Sequence, residues 1–351
     1  MTLGLIISKS YHGGGERMQQ MLLSEFKNKV DEVIIFTWED SNLNEFNNSF
    51  RKIILKRKHG KIQQFIYEVF QINKEIRSLK LDCLLIFGAS ESFMIASFFS
   101  RTKSISSLRV DPRFPKNNLL TKYRRILAFS LSDGIVFQTE TVRHYFSKNI
   151  ISKSIVIPNP VIDDDLPNEQ KNRENKIVSV GRLSSEKNYP LLINAFSNIC
   201  PNDYTLHIYG VGPLKSYLQE LIAKLRMEDK IFLEGHVNRV VDKISDAEIF
   251  VLCSNFEGMP NALIEAMAIG LACISTKFPS GAAEELIQNY ENGILIQVGN
   301  QKQLELSISS LIEDKNLSTK LRNNAQYVRK TLDKNMIINQ WLKYIKNIKS
   351  N

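Results

Sequence analysis

Cysteine is scarce in this 351-residue sequence: four residues, Cys83, Cys200, Cys253 and Cys273, with no CxxC spacing. That excludes a disulfide-built scaffold. Three of the four lie in apolar runs, as buried free thiols of a reducing compartment do. The five histidines, His12, His59, His144, His207 and His236, show no metal-ligand spacing, and no metal site is expected. No apolar run approaches the roughly 20 residues that span a bilayer. Residues 1–8 are too short, and lack the charged start, to be a secretory leader. A cytoplasmic protein is therefore expected, associated at most with the inner face of a membrane. Neither a GxSxG elbow nor HExxH is present.

Hydrophobic residues make up 43% and charged residues 24%, the balance of an ordinary globular protein, which excludes disorder. The length predicts two domains. Charge is uneven. Residues 1–165 carry 24 Lys and Arg against 17 Asp and Glu, a balance of +7, while residues 166–351 carry 22 against 20, a balance of +2. A polyanionic surface is expected to meet the first half. Short β-branched runs at 3–7, 33–36, 84–87, 105–108, 135–137 and 155–157 alternate with amphipathic stretches at 16–27, 62–79, 93–99 and 119–131. A second set of strands follows at 177–180, 206–209, 231–233, 249–252, 272–275 and 294–296. This alternation implies parallel sheets covered on both faces, hence two Rossmann-like α/β domains. Pro158-Asn159-Pro160 and the acidic run Asp163-Asp164-Asp165 mark a linker. Domains are expected at 1–165 and 166–333, the first completed by a helix at 334–351 with an apolar stripe of Ile337, Ile338, Trp341 and Ile345.

In open parallel sheets ligands bind beyond the carboxyl ends of the strands, so the loops there are the places to look. After residues 3–7 comes Gly13-Gly14-Gly15-Glu16 at a helix start. It suits an anion, or is a flexible turn, and it matches neither GxGxxG nor the Walker A pattern. After 177–180 comes Gly181-Arg182-Leu183-Ser184-Ser185-Glu186-Lys187, whose two cations suit a diphosphate or are solvated surface charges. After 249–253 comes Ser254-Asn255-Phe256-Glu257-Gly258-Met259-Pro260-Asn261, then a helix ended by Gly270. Glu265 sits in that helix among Ala262, Ala266 and Ile269, and an acid on a small apolar face needs a donor, which sugar hydroxyls supply. Glu257 either joins the same ligand or merely stabilises the helix start. Backbone amides of Gly258, Asn261 and Ala262 are candidates for that ligand as well.

Taken together, these residues resemble glycosyltransferase family 4, retaining enzymes of the GT-B fold. Val180-Gly181-Arg182-Leu183 with Lys187 matches the family's VGRL…K motif, and Glu257 through Glu265 its E-x7-E motif in the form EGMPNALIEAMA. Gly13-Gly14-Gly15-Glu16 resembles its GGxE loop, and Asn292-Gly293-Ile294-Leu295 its NGxLI segment. Ser107-Leu108-Arg109-Val110-Asp111-Pro112 resembles the SERNDP segment of bacterial O-antigen, capsule and exopolysaccharide transferases, departing from it at Leu108 and Val110.

The resemblance implies two Rossmann-like domains with a cleft between them and a metal-independent transfer of sugar from a nucleotide diphosphate. UDP-linked N-acetylhexosamine or hexose is the expected donor, and a glycan or polyprenyl-diphosphate-linked oligosaccharide the expected acceptor. No cofactor beyond the donor is implied. The catalytic residues would be Glu257, Arg182 and Lys187. Donor binding would fall to Gly14, Gly15, Glu16, Gly181, Gly258, Met259, Pro260, Asn261, Ala262 and Glu265. Glu265 would take the ribose hydroxyls and Glu257 the sugar, while Arg109 and Asp111 would lie on the acceptor side. Basic residues interleaved with apolar ones at 116–127, and the cluster Arg51, Lys52, Lys56, Arg57, Lys58 and Lys61, suit an anionic membrane, or an ordinary surface helix. Nucleic acid is not an expected partner, for want of a recognition motif. Competing readings are a transferase with another nucleotide sugar and a soluble acceptor, and a non-catalytic nucleotide-sugar-binding protein.

Overall fold

The structure is a computed structural model and describes residues 1–7, 14–38, 50–56, 61–88, 91–113, 119–162, 166 and 172–350. The run Asp163-Asp164-Asp165 and the segment Tyr11-His12-Gly13 lie outside the described residues. The chain forms two compact units: Met1–Pro158 with Asn335–Asn351, and Asn159–Lys334.

The first unit runs β1 (Thr2–Ile7), α1 (Gly14–Phe26), β2 (Glu32–Trp38), β3 (Arg51–Leu55), α2 (Lys61–Leu79), β4 (Cys83–Phe87), α3 (Glu91–Ser100), β5 (Ser104–Ser107), α4 (Leu119–Leu131), β6 (Gly134–Phe137), α5 (Glu140–Arg143), α6 (Lys148–Ile151) and β7 (Ser154–Val156). All pairings are parallel, in the order β3-β2-β1-β4-β5-β6-β7. Strand β3 was not expected. Its sequence Arg-Lys-Ile-Ile-Leu reads as a basic cluster, yet it serves as an edge strand, where charged side chains are tolerated.

The second unit runs β8 (Glu174–Val180), α7 (Tyr189–Ile199), β9 (Thr205–Tyr209), α8 (Lys215–Lys224), β10 (Ile231–Gly235), α9 (Val240–Ile244), β11 (Ala247–Leu252), α10 (Asn261–Ala268), β12 (Ala272–Thr276), α11 (Ala282–Leu286), β13 (Ile294–Ile296), α12 (Gln301–Glu313), α13 (Lys315–Ala325) and α14 (Val328–Thr331). Its order is β10-β9-β8-β11-β12-β13, again all parallel. Successive side chains of each central strand feed opposite cores: Ile177, Ile249 and Val251 one, Val178, Phe250 and Leu252 the other. The direction of strand progression reverses between β8 and β11, so their exit loops leave a crevice at a topological switch point.

The last helix, α15 (Lys334–Ser350), belongs to the first unit and buries Ile337, Ile338, Trp341 and Ile345 there. The Trp341 ring lies 5.7 Å from that of Phe87 at the end of β4. The Tyr344 hydroxyl accepts from the Ile135 amide at 2.9 Å and donates to the Lys153 carbonyl at 2.6 Å. Burial pushes the Tyr344 phenol up to about 12, so it stays a donor. Tyr344→Phe should cost about 0.5–1.5 kcal/mol, because the bond to the Lys153 carbonyl is lost and the Ile135 amide keeps only that same carbonyl, at 3.1 Å, as acceptor. The expected readout is a lower urea midpoint with faster hydrogen exchange at Ile135, and an unchanged midpoint would exclude this docking.

Candidate functional site

The loops after β8 and β11 are laced to one another by backbone and side-chain bonds. Residues 185–187 form a single helical turn, and Asn188 then adopts the left-handed conformation at φ 50°, which Asn tolerates, to launch α7 with Pro190 in its first turn. From the other loop, the Asn255 amide donates to the Glu186 carbonyl at 2.7 Å, its side chain donates to the Ser185 carbonyl at 3.3 Å, and its Oδ1 accepts from Asn188 at 3.3 Å. Cys253 Sγ sits 3.2 Å from the Lys187 carbonyl; burial pushes this thiol up to about 12, so it is inert.

This lacing brings Lys187 and Glu257 together. Lys187 Nζ donates to Glu257 Oε1 at 2.5 Å, and the same oxygen accepts from Ser254 Oγ at 2.6 Å. The two charged side chains are only 16% and 14% exposed, so each would be costly to leave unpaired. Arg182, on the same loop as Lys187, is exposed.

Three glycines allow this arrangement. A β-carbon on Gly181 would come within 2.9 Å of Lys187 Cε and 3.0 Å of the Tyr189 hydroxyl, so Gly181 makes room for the lysine stem to cross. A β-carbon on Gly210 would fall 2.0 Å from the Gly181 oxygen, and one on Gly212 would fall 2.4 Å from the Leu183 oxygen. The exit of β9 thus stacks on residues 181–183, with the Leu183 amide bonded to the Val211 carbonyl at 3.0 Å.

Beyond Glu257 the chain enters α10, with Pro260 at its N-cap. The Ser280 hydroxyl donates to the Gly258 carbonyl at 2.8 Å, so the loop before α11 buttresses this one. Asn159, from the linker, donates to Asn261 Oδ1 at 2.6 Å and to the Met259 carbonyl at 3.3 Å. Glu265 is buried within α10. The amides of Asn261 and Ala262 fall in the first turn, where no intrahelical acceptor exists.

In the first unit, Gly14, Gly15 and Glu16 form the first turn of α1 rather than a loop. The structure does not bring Arg109 and Asp111 together. The Arg109 guanidinium lies against both Phe87 and Trp341, 5.4 and 5.5 Å from their ring centres, and burial lowers its pKa. The Asp111 carboxylate is held by Arg113, through Nε at 2.9 Å and Nη2 at 3.1 Å. Among the described residues no group of three His, Cys, Asp or Glu is placed to hold a metal ion. Sequence reasoning missed Ser254, Asn255, Asn188, Gly210 and Gly212. The pair Gly210-Val211-Gly212 directly after a buried strand was the signal for the last two.

Gly210→Ala should destabilise the second unit by about 1–3 kcal/mol through the steric conflict with Gly181. Gly299→Ala, with open space around it but φ at 74°, should cost only about 1–2 kcal/mol of backbone strain. Urea unfolding of the two variants checks the difference.

Residues 162–328 match the family model described as glycosyl transferases group 1. The chain is 37% identical to the N-acetylgalactosamine-N,N'-diacetylbacillosaminyl-diphospho-undecaprenol 4-alpha-N-acetylgalactosaminyltransferase of Campylobacter jejuni over 169 residues, 48% of this chain and 46% of that enzyme. It thus spans under half the length of that relative. A second C. jejuni enzyme, GalNAc-alpha-(1->4)-GalNAc-alpha-(1->3)-diNAcBac-PP-undecaprenol alpha-1,4-N-acetyl-D-galactosaminyltransferase, aligns at 22% identity over 100% of this chain and 99% of its own. Among solved structures, HepE of Anabaena in complex with UDP superposes with a TM-score of 0.85 at 18% identity, covering 99% of this chain and 100% of its own. The two Rossmann-like units are those of the GT-B fold. Residues 162–328, with the VGRL and E-x7-E motifs in place, thus form a segment similar to the glycosyl transferases group 1 family.

Proposed function

We propose that this protein is a glycosyltransferase that moves an N-acetylhexosamine or hexose from a UDP-linked donor, with retention at the anomeric carbon, to a lipid-diphosphate-linked glycan in bacterial surface polysaccharide synthesis. The observation that carries the reading is the Lys187–Glu257 pair at the switch point of a parallel sheet, with Arg182 exposed on the same loop. A departing diphosphate develops negative charge. Lys187 and Arg182 meet it as side-chain cations in the role a metal would otherwise have. In the free protein Glu257 neutralises Lys187. A bound diphosphate competes for the ammonium, and Glu257 is then left to accept a hydroxyl of the donor sugar. Glu265 accepts the ribose hydroxyls, while the amides of Gly258, Met259, Asn261 and Ala262 bind sugar and phosphate. Met259 and Pro260 stiffen that turn.

The names of the C. jejuni relatives, with N-acetylgalactosaminyl transfer and diphospho-undecaprenol carriers, support the sugar and acceptor classes. Anabaena HepE with UDP-glucose supports the nucleotide.

A lipid-linked acceptor calls for a membrane surface, and the first unit has a face suited to one. Right-handed crossovers place α2, α3 and α4 on one face of its sheet, where α2 packs on α3 and α3 on α4. Their outer side exposes Ile66, Phe70, Phe98, Phe99, Tyr123 and Leu127, with Lys74, Arg77 and Arg101 also exposed. The apolar stripe of α4 splits, Phe129 facing the core and Leu127 facing outward. No helix among the described residues is long and apolar enough to cross a membrane.

Two experiments test this reading. Lys187→Ala and Glu257→Gln should each cut UDP release from UDP-N-acetylglucosamine, UDP-N-acetylgalactosamine or UDP-glucose by about 10²–10³-fold with little change in melting temperature. Wild-type turnover in both would remove the mechanism. In flotation, the protein should bind phosphatidylglycerol vesicles at low salt and lose that binding in the double variant Phe70→Ser, Leu127→Ser. Absence of binding at low salt would sink the membrane assignment.

A further inference from the structure

We infer that Ser254 is a positioning residue: its hydroxyl fixes the Glu257 carboxylate so that Oε2 faces the donor sugar while Lys187 changes partner. The inference rests on the donor role proposed for Glu257. Two donors, Lys187 Nζ and Ser254 Oγ, converge on Oε1, and among the described residues Oε2 has no partner. The two donors differ in mobility. Lys187 ends a flexible four-carbon stem, whereas Ser254 is fully buried and held from several sides. Thr276 Oγ1, itself fully buried, donates to the Ser254 carbonyl at 2.6 Å. The next residue, Asn255, is bonded to the carbonyls of Glu186 and Ser185.

Once a diphosphate draws the ammonium away, one of the two bonds that orient Glu257 is gone. Ser254 is the protein donor that remains, and a hydrogen bond from a buried hydroxyl to a carboxylate is of the stronger, charge-assisted kind. Without it the carboxylate is free to rotate when the sugar must be held. A purely structural serine would affect stability and nucleotide affinity. A positioning serine affects turnover.

The test measures UDP release from UDP-N-acetylglucosamine, UDP-N-acetylgalactosamine and UDP-glucose, with UDP affinity by calorimetry. Ser254→Ala should lower kcat roughly 10- to 100-fold. KM and the UDP dissociation constant should stay within about twofold, as expected when an interaction is made only in the transition state. Ser254→Thr, which keeps the hydroxyl, should recover most of kcat. In a Glu257→Gln background, Ser254→Ala should cost nothing further, because both changes remove the same placed carboxylate. Full kcat in Ser254→Ala, or an undiminished loss in the Glu257→Gln background, overturns the inference. Ser254→Cys, a weaker donor of similar size, replaces the alanine variant should that fail to fold. If the wild type releases UDP from none of the three donors, the donor reading falls. The crystal structure of Ser254→Ala then decides the inference alone: a displaced Glu257 carboxylate supports it, and an unmoved one overturns it.

Discussion

Lys187 and Ser254 meet at one oxygen of Glu257, from loops that leave two adjacent parallel strands, and the surrounding backbone is arranged so that this meeting is possible. Gly181 clears the path of the lysine stem, and Gly210 and Gly212 let a third loop stack beneath it. Asn188 turns the chain directly after Lys187, and Asn255 ties that turn to the opposite loop. Each of these residues is explained by what it permits the carboxylate and the ammonium to do. Their helices and strands supply rigid mounts in cores that are fully buried on both faces of the sheet.

A charge pair that is mostly shielded from water adds little net stability, since desolvation offsets much of the attraction. Its value lies in readiness. In the proposed reaction the ammonium is held in place by a partner that a more strongly charged diphosphate would outcompete, so no large side-chain search would precede binding. Glu265, buried one turn into α10, and Ser280, bracing Gly258, extend the same logic away from the charge pair. In the first unit the corresponding loop positions are occupied differently. Arg109 lies against two aromatic rings and Asp111 is clasped by Arg113, beyond the end of β5.

Where the sequence was legible, the reason was period and punctuation. The helix at 119–131 follows from its amphipathic spacing, and the central strands of the second unit from uninterrupted apolar runs, because strands covered on both faces admit nothing else. The GRL…K and E-x7-E residues stood out because they follow the carboxyl ends of expected parallel strands, where ligands bind in such sheets. Strand β3 was missed because an edge strand tolerates Arg51 and Lys52, which hides its pattern. Ser254 and Thr276 were missed for another reason. A serine after a strand looks like any turn residue, and only three-dimensional adjacency reveals that one feeds a carboxylate and the other holds its carbonyl. The loop-stacking glycines likewise needed a neighbour 29 residues away in sequence, Gly181 beneath Gly210, to give them meaning.

The docking of α15 carries a consequence for how the chain comes to be folded. Trp341 and Tyr344 fill the first unit's core and satisfy its backbone, yet they follow the whole of the second unit in sequence. During synthesis the first unit therefore emerges first and is completed last. Until α15 has emerged, the surface around Phe87 and Ile135 stays open, and the nascent chain carries a first sheet with all of its strands but part of its core uncovered, while the second unit already has all of its own strands.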